Sequence, residues 1–198
     1  MNLNQFEQKF CSIVQTIMKY LFVFFFLVEF IALGQPSLLL IGNDDKMCYS
    51  DHFDVIITDT LPSQIREFDA IYILSNAISR LEKKDIDRIL LFVDAGGGLY
   101  TGAENWPLQA ESNQITQQMF RKESYGEYQL EKATTTSSRG NLRLNDMSEV
   151  PAGFTTVAFP MDYRLTVEAW VDDQPLILSG EYGKGRIIID GGYSRFYC

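Results

Sequence analysis

Residues 79–107 read SRLEKKDIDRILLFVDAGGGLYTGAENWP, and the order of signals along this stretch decides the fold. Ser79-Arg80-Leu81-Glu82 has the form of a capping box, in which a hydroxyl and a glutamate satisfy the first free amides of a helix. Leu81, Ile86, Ile89, Leu90 and Val93 then recur at helical spacing, with Lys83, Lys84, Asp87 and Arg88 on the opposite face. The pattern predicts an amphipathic helix that stops near Asp94-Ala95-Gly96. Gly98 to Thr101 is the next strand, Gly102-Ala103-Glu104-Asn105 a turn, and Pro107 suits the opening of a second helix over Leu108 to Phe120.

On the amino-terminal side lie three short apolar runs bounded by turn residues: Pro36 to Ile41, Asp54 to Thr58 and Asp69 to Leu74. Runs of this kind read as strands buried on both faces of a parallel sheet. On the carboxyl-terminal side, Lys122 to Ala152 is mixed and polar, an insertion with one or two short strands. Leu165 to Val171, Leu176 to Glu181 and Arg186 to Asp190 are strands again, with Tyr182-Gly183-Lys184-Gly185 as a hairpin turn. Strands alternating with helices predict an α/β domain: an open, mostly parallel, flavodoxin-like sheet with a C-terminal hairpin and a mid-chain insertion.

The chain has 198 residues, 46% hydrophobic, which is ample for one domain with its own core. A domain of about 150 residues buries roughly 68–70% of its unfolded surface, so neither disulfide nor metal is required. The net charge of -9 excludes nucleic acid as a partner, because a phosphate backbone calls for clustered Lys and Arg.

From Met18 the chain reads MKYLFVFFFLVEFIALGQ, with Lys19, an apolar run Leu21 to Leu33, and Ala32-Leu33-Gly34 before Gln35. This has the form of a secretory signal peptide cut after Gly34, in which residues 1–17 either precede a true start at Met18 or extend the n-region. A retained membrane anchor over residues 18–34 and a buried core helix are the competing readings. The run falls short of the ~20 residues of a spanning helix, and Glu29 interrupts it. Residues 1–34 are thus a leader or anchor and 35–198 the domain. The membrane enters only through the first segment, and the domain is expected to be secreted or otherwise extracytoplasmic. Loss of residues 1–34 removes Glu7, Glu29, Lys9 and Lys19 and leaves the charge at -9. Cys11 would leave with them, and Cys48 and Cys198 remain as an even pair: either a disulfide or two thiols.

Three stretches together, FDAIYILSNA (68–77), LLFVDAGGGLYTG (90–102) and PLILSGEYGKGRIIIDGGYS (175–194), resemble the class I glutamine amidotransferase-like superfamily. The resemblance spans residues 36–198 apart from the insertion and implies a flavodoxin-like sheet. Catalytic members carry a cysteine on the elbow after the strand that is Gly98 to Thr101 here, and a histidine after a late strand. This chain has Thr101-Gly102-Ala103-Glu104 and Gly191-Gly192-Tyr193-Ser194 at those places, and its one histidine, His52, lies on an early loop. No catalytic residue is therefore carried over.

A ligand site is expected around Gly97, Gly98, Thr101, Gly102, Glu104, Asn105 and Trp106. Open α/β sheets bind ligands beyond the carboxyl ends of their strands, and Trp106 with Glu104 suits a sugar or a cation. The alternative reading makes Gly96 to Gly98 a helix stop and lets Asn105 and Trp106 form a turn packed on the core. Asp44, Asp45 and Asp190 have no metal-site spacing, and Lys184 and Arg186 are hairpin charges. No metal or cofactor is predicted. The leading expectation is a non-catalytic module that binds a small molecule or protein. Its rivals are a carbohydrate-active or other hydrolase using Glu104 with a second carboxylate, and a fragment of a larger surface protein. The last is motivated by the absence of a closing helix before Cys198.

Overall fold

The computed structural model describes residues 35–42, 53–123, 125–128, 132–135, 149–152 and 155–196. Residues 1–34, Asp44, Asp45, Cys48, His52 and Cys198 lie outside them. Among the described residues no helix is long and apolar enough to cross a membrane.

The elements run β1 (Ser37–Ile41), β2 (Asp54–Thr58), β3 (Ala70–Leu74), α1 (Lys83–Asp94), β4 (Gly98–Gly102) and α2 (Ala110–Phe120). There follow β5 (Tyr125–Tyr128), β6 (Lys132–Thr135), β7 (Glu149–Pro151), β8 (Thr156–Ala158), β9 (Leu165–Val171), β10 (Gln174–Tyr182) and β11 (Gly185–Asp190). Two single 3-10 turns, Ile65–Glu67 and Tyr193–Phe196, complete the list.

Nine strands form one open sheet in the order β2-β1-β3-β4-β11-β10-β9-β6-β7. The first five are mutually parallel and the remainder join antiparallel. The predicted α/β class and flavodoxin-like order are therefore present. The insertion supplies β6 and β7, which extend the antiparallel edge, and β5, which pairs separately with β8. β8 carries no strong periodicity in three residues and was not anticipated.

Both helices cover one face of the parallel strands. Ile86, Ile89, Leu90 and Val93 of α1 and Ile115, Met119 and Phe120 of α2 share a core with Leu39, Ile71, Ile73, Leu99, Ile187 and Ile189. Burial of each such side chain contributes about 1.5–3 kcal/mol.

The structure corrects two expectations. The helix begins at Lys83, not Ser79: Glu82 is the N-cap, and its capping box is closed by Asp85. Ser79 makes a tight turn instead, its hydroxyl accepting from the Leu81 N–H and donating to Gln114 Oε1. And β2 is not buried on both faces. It is the sheet's outer strand, with Ile56 51% and Ile57 45% exposed.

The helix stop is as read. Gly96 takes φ +122, and the N–H groups of Gly96 and Gly97 donate to the Val93 and Phe92 carbonyls, which is the Schellman pattern. The hairpin turn packs against this end: Lys184 N–H donates to the Asp94 carbonyl at 3.0 Å.

Candidate functional site

β4 ends in a buried elbow held from both sides. The Ala103 N–H donates to the Asp190 carbonyl at 2.8 Å, and the Ala103 carbonyl accepts from the Tyr193 N–H. Ala103 is fully buried. A Cβ on Gly102 would stand 2.8 Å from Tyr193 Cβ, so only glycine lets this strand end pass the turn after β11.

Glu104 follows on the elbow and is 3% exposed. Its Oε1 accepts from the Ser194 N–H at 2.7 Å and its Oε2 from the Thr155 hydroxyl at 2.9 Å. Thr155 is also within reach of Asn105 Oδ1. Burial pushes the Glu104 carboxyl above its ordinary range, the bonds from Ser194 and Thr155 pull the other way, and the charge of Asp190 adds to the rise. Asp190, at the end of β11, is 1% exposed and accepts from the Tyr100 hydroxyl and the Gly192 N–H, both at 2.9 Å.

A second buried network joins α2 to the strands. Ser112 Oγ lies 2.6 Å from Ser75 Oγ and 2.7 Å from Thr101 Oγ1. Beside it, Glu111 is fully buried and accepts from the N–H groups of Asn76 at 2.7 Å and Arg80 at 2.9 Å. One carboxylate thus fixes both ends of the loop that follows β3. Sequence reasoning passed over Glu111, Ser75 and Ser112. The one available signal was a glutamate in the first turn of a helix, at i-4 and i-8 to the buried Ile115 and Met119.

The expected site residues separate into two groups. Thr101, Gly102, Glu104, Asn105 and Trp106 cluster at the carboxyl end of β4. Gly97 and Gly98 are at its amino end, about 13 Å away for four strand steps. There a Cβ on Gly97 would strike the Phe92 ring and one on Gly98 would meet Ala70 Cβ at 3.2 Å. Trp106 is not packed on the core: it is 72% exposed, and Ile78, on the loop after β3, is 82% exposed. With Phe196, 41% exposed after β11, these side chains give the carboxyl-end rim an apolar character.

Two carboxylates stand behind the rim, Glu104 and Asp190. Both are buried and already carry donors, and no group of histidine, cysteine, aspartate and glutamate able to hold a metal occurs among the described residues.

No protein-family model and no curated protein matches the chain. Solved structures do. A cytoplasmic protein from Salmonella typhimurium LT2 is 16% identical over 79% of this chain and 87% of its own, with a TM-score of 0.58. A ThuA-like protein from Bacteroides uniformis is 11% identical over 83% of this chain and 86% of its own, at 0.52. A GH42 β-galactosidase from G. stearothermophilus matches at 0.53 and 15% identity, with only 28% of that chain covered. At these identities the likeness is one of fold. The shared feature is the open, largely parallel α/β sheet, which the ThuA-like protein also has.

Proposed function

We propose that residues 35–198 form a non-catalytic amidotransferase-like domain that binds a small molecule or a protein segment at the carboxyl-end rim, outside the cytoplasm. The observation that carries this reading is the elbow. Where the resemblance implies a nucleophilic cysteine the chain reads Thr101-Gly102-Ala103-Glu104, all four buried. Of these, Glu104 has both carboxylate oxygens engaged by Ser194 and Thr155. A carboxylate that is 3% exposed and already hydrogen-bonded is poorly placed to protonate a leaving group, which weighs against the hydrolase reading. The exposed indole of Trp106 beside it offers a stacking face instead. The extracytoplasmic placement rests on Lys19, the apolar run to Leu33 and Ala32-Leu33-Gly34.

Thermal shift of the full chain against soluble sugars and short peptides, with Trp106→Ala alongside, tests the binding role. A shift present in the wild type and lost in the variant is expected. Turnover of any substrate that disappears in Glu104→Gln would replace this reading with the hydrolase. The intact mass of the protein from its own cells tests the placement: a chain beginning at Gln35 is expected, and one retaining residue 1 in the soluble cytosolic fraction would overturn it.

A further inference from the structure

We propose that the crevice beyond the carboxyl ends of β1 and β3 is an anion site whose cation is Arg80, and that it takes a small carboxylate. This deepens the binding-module reading and rests on it.

The parallel strands run β2-β1-β3-β4-β11, so the chain leaves β1 to one side for β2 and then crosses to the other for β3. That reversal leaves a crevice between the carboxyl ends of β1 and β3, the place where open α/β sheets take ligands. Arg80 reaches into it from the loop after β3. Its Nη1 is buried and finds no acceptor among the described residues, the only such side-chain atom among them. A buried polar hydrogen without a partner calls for an explanation, and an anion supplies one.

The surroundings are built to hold the guanidinium there. β1 ends in Gly42 at φ +103, and a Cβ on that residue would stand 2.7 Å from Arg80 Nη1 and 3.0 Å from the Leu74 carbonyl. The glycine makes room for the guanidinium. The backbone of Arg80 is fixed independently, its N–H donating to the buried Glu111 at 2.9 Å. Among the described residues the carboxylate paired with it, Asp59, is 73% exposed and approaches only the Nε edge, at 3.9 Å, which is too long for a firm hydrogen bond. The planar fork of arginine suits a carboxylate. A dianionic phosphate is less suited, because Asp59 and a net charge of -9 repel it. The side chain as a whole remains 25% exposed, although Nη1 itself is buried.

The test is thermal unfolding of the full chain in sodium acetate, pyruvate and malonate, against sodium chloride and sodium phosphate at equal ionic strength. A carboxylate present at about ten times its Kd raises Tm by roughly 3–6 °C. That rise is expected in the wild type, reduced in Arg80→Lys and lost in Arg80→Gln. Phosphate should give the smaller rise. No carboxylate-specific rise in the wild type, or an equal rise in Arg80→Gln, overturns the proposal, as does a larger rise with phosphate. Should Arg80→Gln fail to melt cooperatively, the comparison with Arg80→Lys decides: an undiminished rise there would also count against the arginine fork. A rise lost in Trp106→Ala but kept in Arg80→Gln would sink the Arg80 site while leaving the binding module standing.

Discussion

The Ser194 N–H donates to Glu104 Oε1 at 2.7 Å, joining residues 90 positions apart in the chain. Through this bond the loop after β11 and the elbow after β4 hold one another, although they are formed by adjacent strands and not by one segment. The same carboxylate receives Thr155, so three separate pieces of chain meet on Glu104. The residue that the sequence offers as a candidate acid joins three segments of the fold.

Glu104 should therefore report on pH through stability. Its carboxyl is raised by burial, so the folded state holds the proton more tightly than the unfolded chain does. That stabilisation is complete below the unfolded glutamate value and is lost as pH rises through the folded one. Unfolding free energy of the wild type should fall relative to Glu104→Gln across that window. Glu104→Ala orphans the Ser194 N–H and should cost about 1–3 kcal/mol at any pH. Urea melts of the three proteins between pH 4 and neutrality check both statements; parallel curves for wild type and Glu104→Gln would refute the first.

The Ser75–Ser112–Thr101 hydroxyls act as one unit. Ser112→Ala removes the partner of two buried groups, and a destabilisation of about 1–3 kcal/mol is expected. Removing Ser75 as well should cost clearly less than the two single losses added together, since an unpaired hydroxyl goes with it. A double-mutant cycle by chemical denaturation measures the difference, and strict additivity would mean the three hydroxyls do not share a network.

Two glycines in the α1–hairpin region should respond differently for reasons that can be separated. Gly96 has φ +122 and open space around its would-be Cβ, so Gly96→Ala carries backbone strain alone, about 1 kcal/mol or a little more. At Gly185 a Cβ would stand 2.2 Å from the Val93 carbonyl oxygen and 2.3 Å from that of Gly97. Backbone must move there, and Gly185→Ala should cost at least ~2 kcal/mol more than Gly96→Ala. Equal melting temperatures for the two variants would contradict the packing of the hairpin on the helix end.

The helix stop, the strand after it and the hairpin were legible because each depends on neighbours in sequence: Gly96 follows the last apolar turn, and Gly183 sits between two apolar strands. The start of α1 was ambiguous locally, since Ser79-x-x-Glu82 and Glu82-x-x-Asp85 both suit a cap. Gln114, 35 residues away, takes the Ser79 hydroxyl. The site was only half legible. The cluster from Thr101 to Trp106 is local, whereas Glu111 acts on amides 31 and 35 residues distant, and no spacing rule reports those. The exposure of Trp106 was equally out of reach, because it depends on what packs beside the elbow.

The exposure of β2 could not be read from five residues either, yet it has a measurable consequence. Leu39 of β1 is flanked in register by Ile56 of β2 and Ile71 of β3, two isoleucines in one row of the sheet. Ile71 is fully buried and Ile56 is 51% exposed. Ile71→Ala should cost about 2–5 kcal/mol by opening a cavity under the helices. Ile56→Lys should change stability by no more than about 0.5 kcal/mol, as an exposed substitution. It should also slow aggregation, because the outer strand otherwise presents unpaired backbone groups beside Val55, Ile56 and Ile57, and a lysine there blunts strand addition. Light scattering of concentrated wild type and variant on gentle heating, with melts of both alanine and lysine variants, reads all three. If Ile56→Lys unfolds the protein as Ile71→Ala does, β2 is not the edge of the sheet.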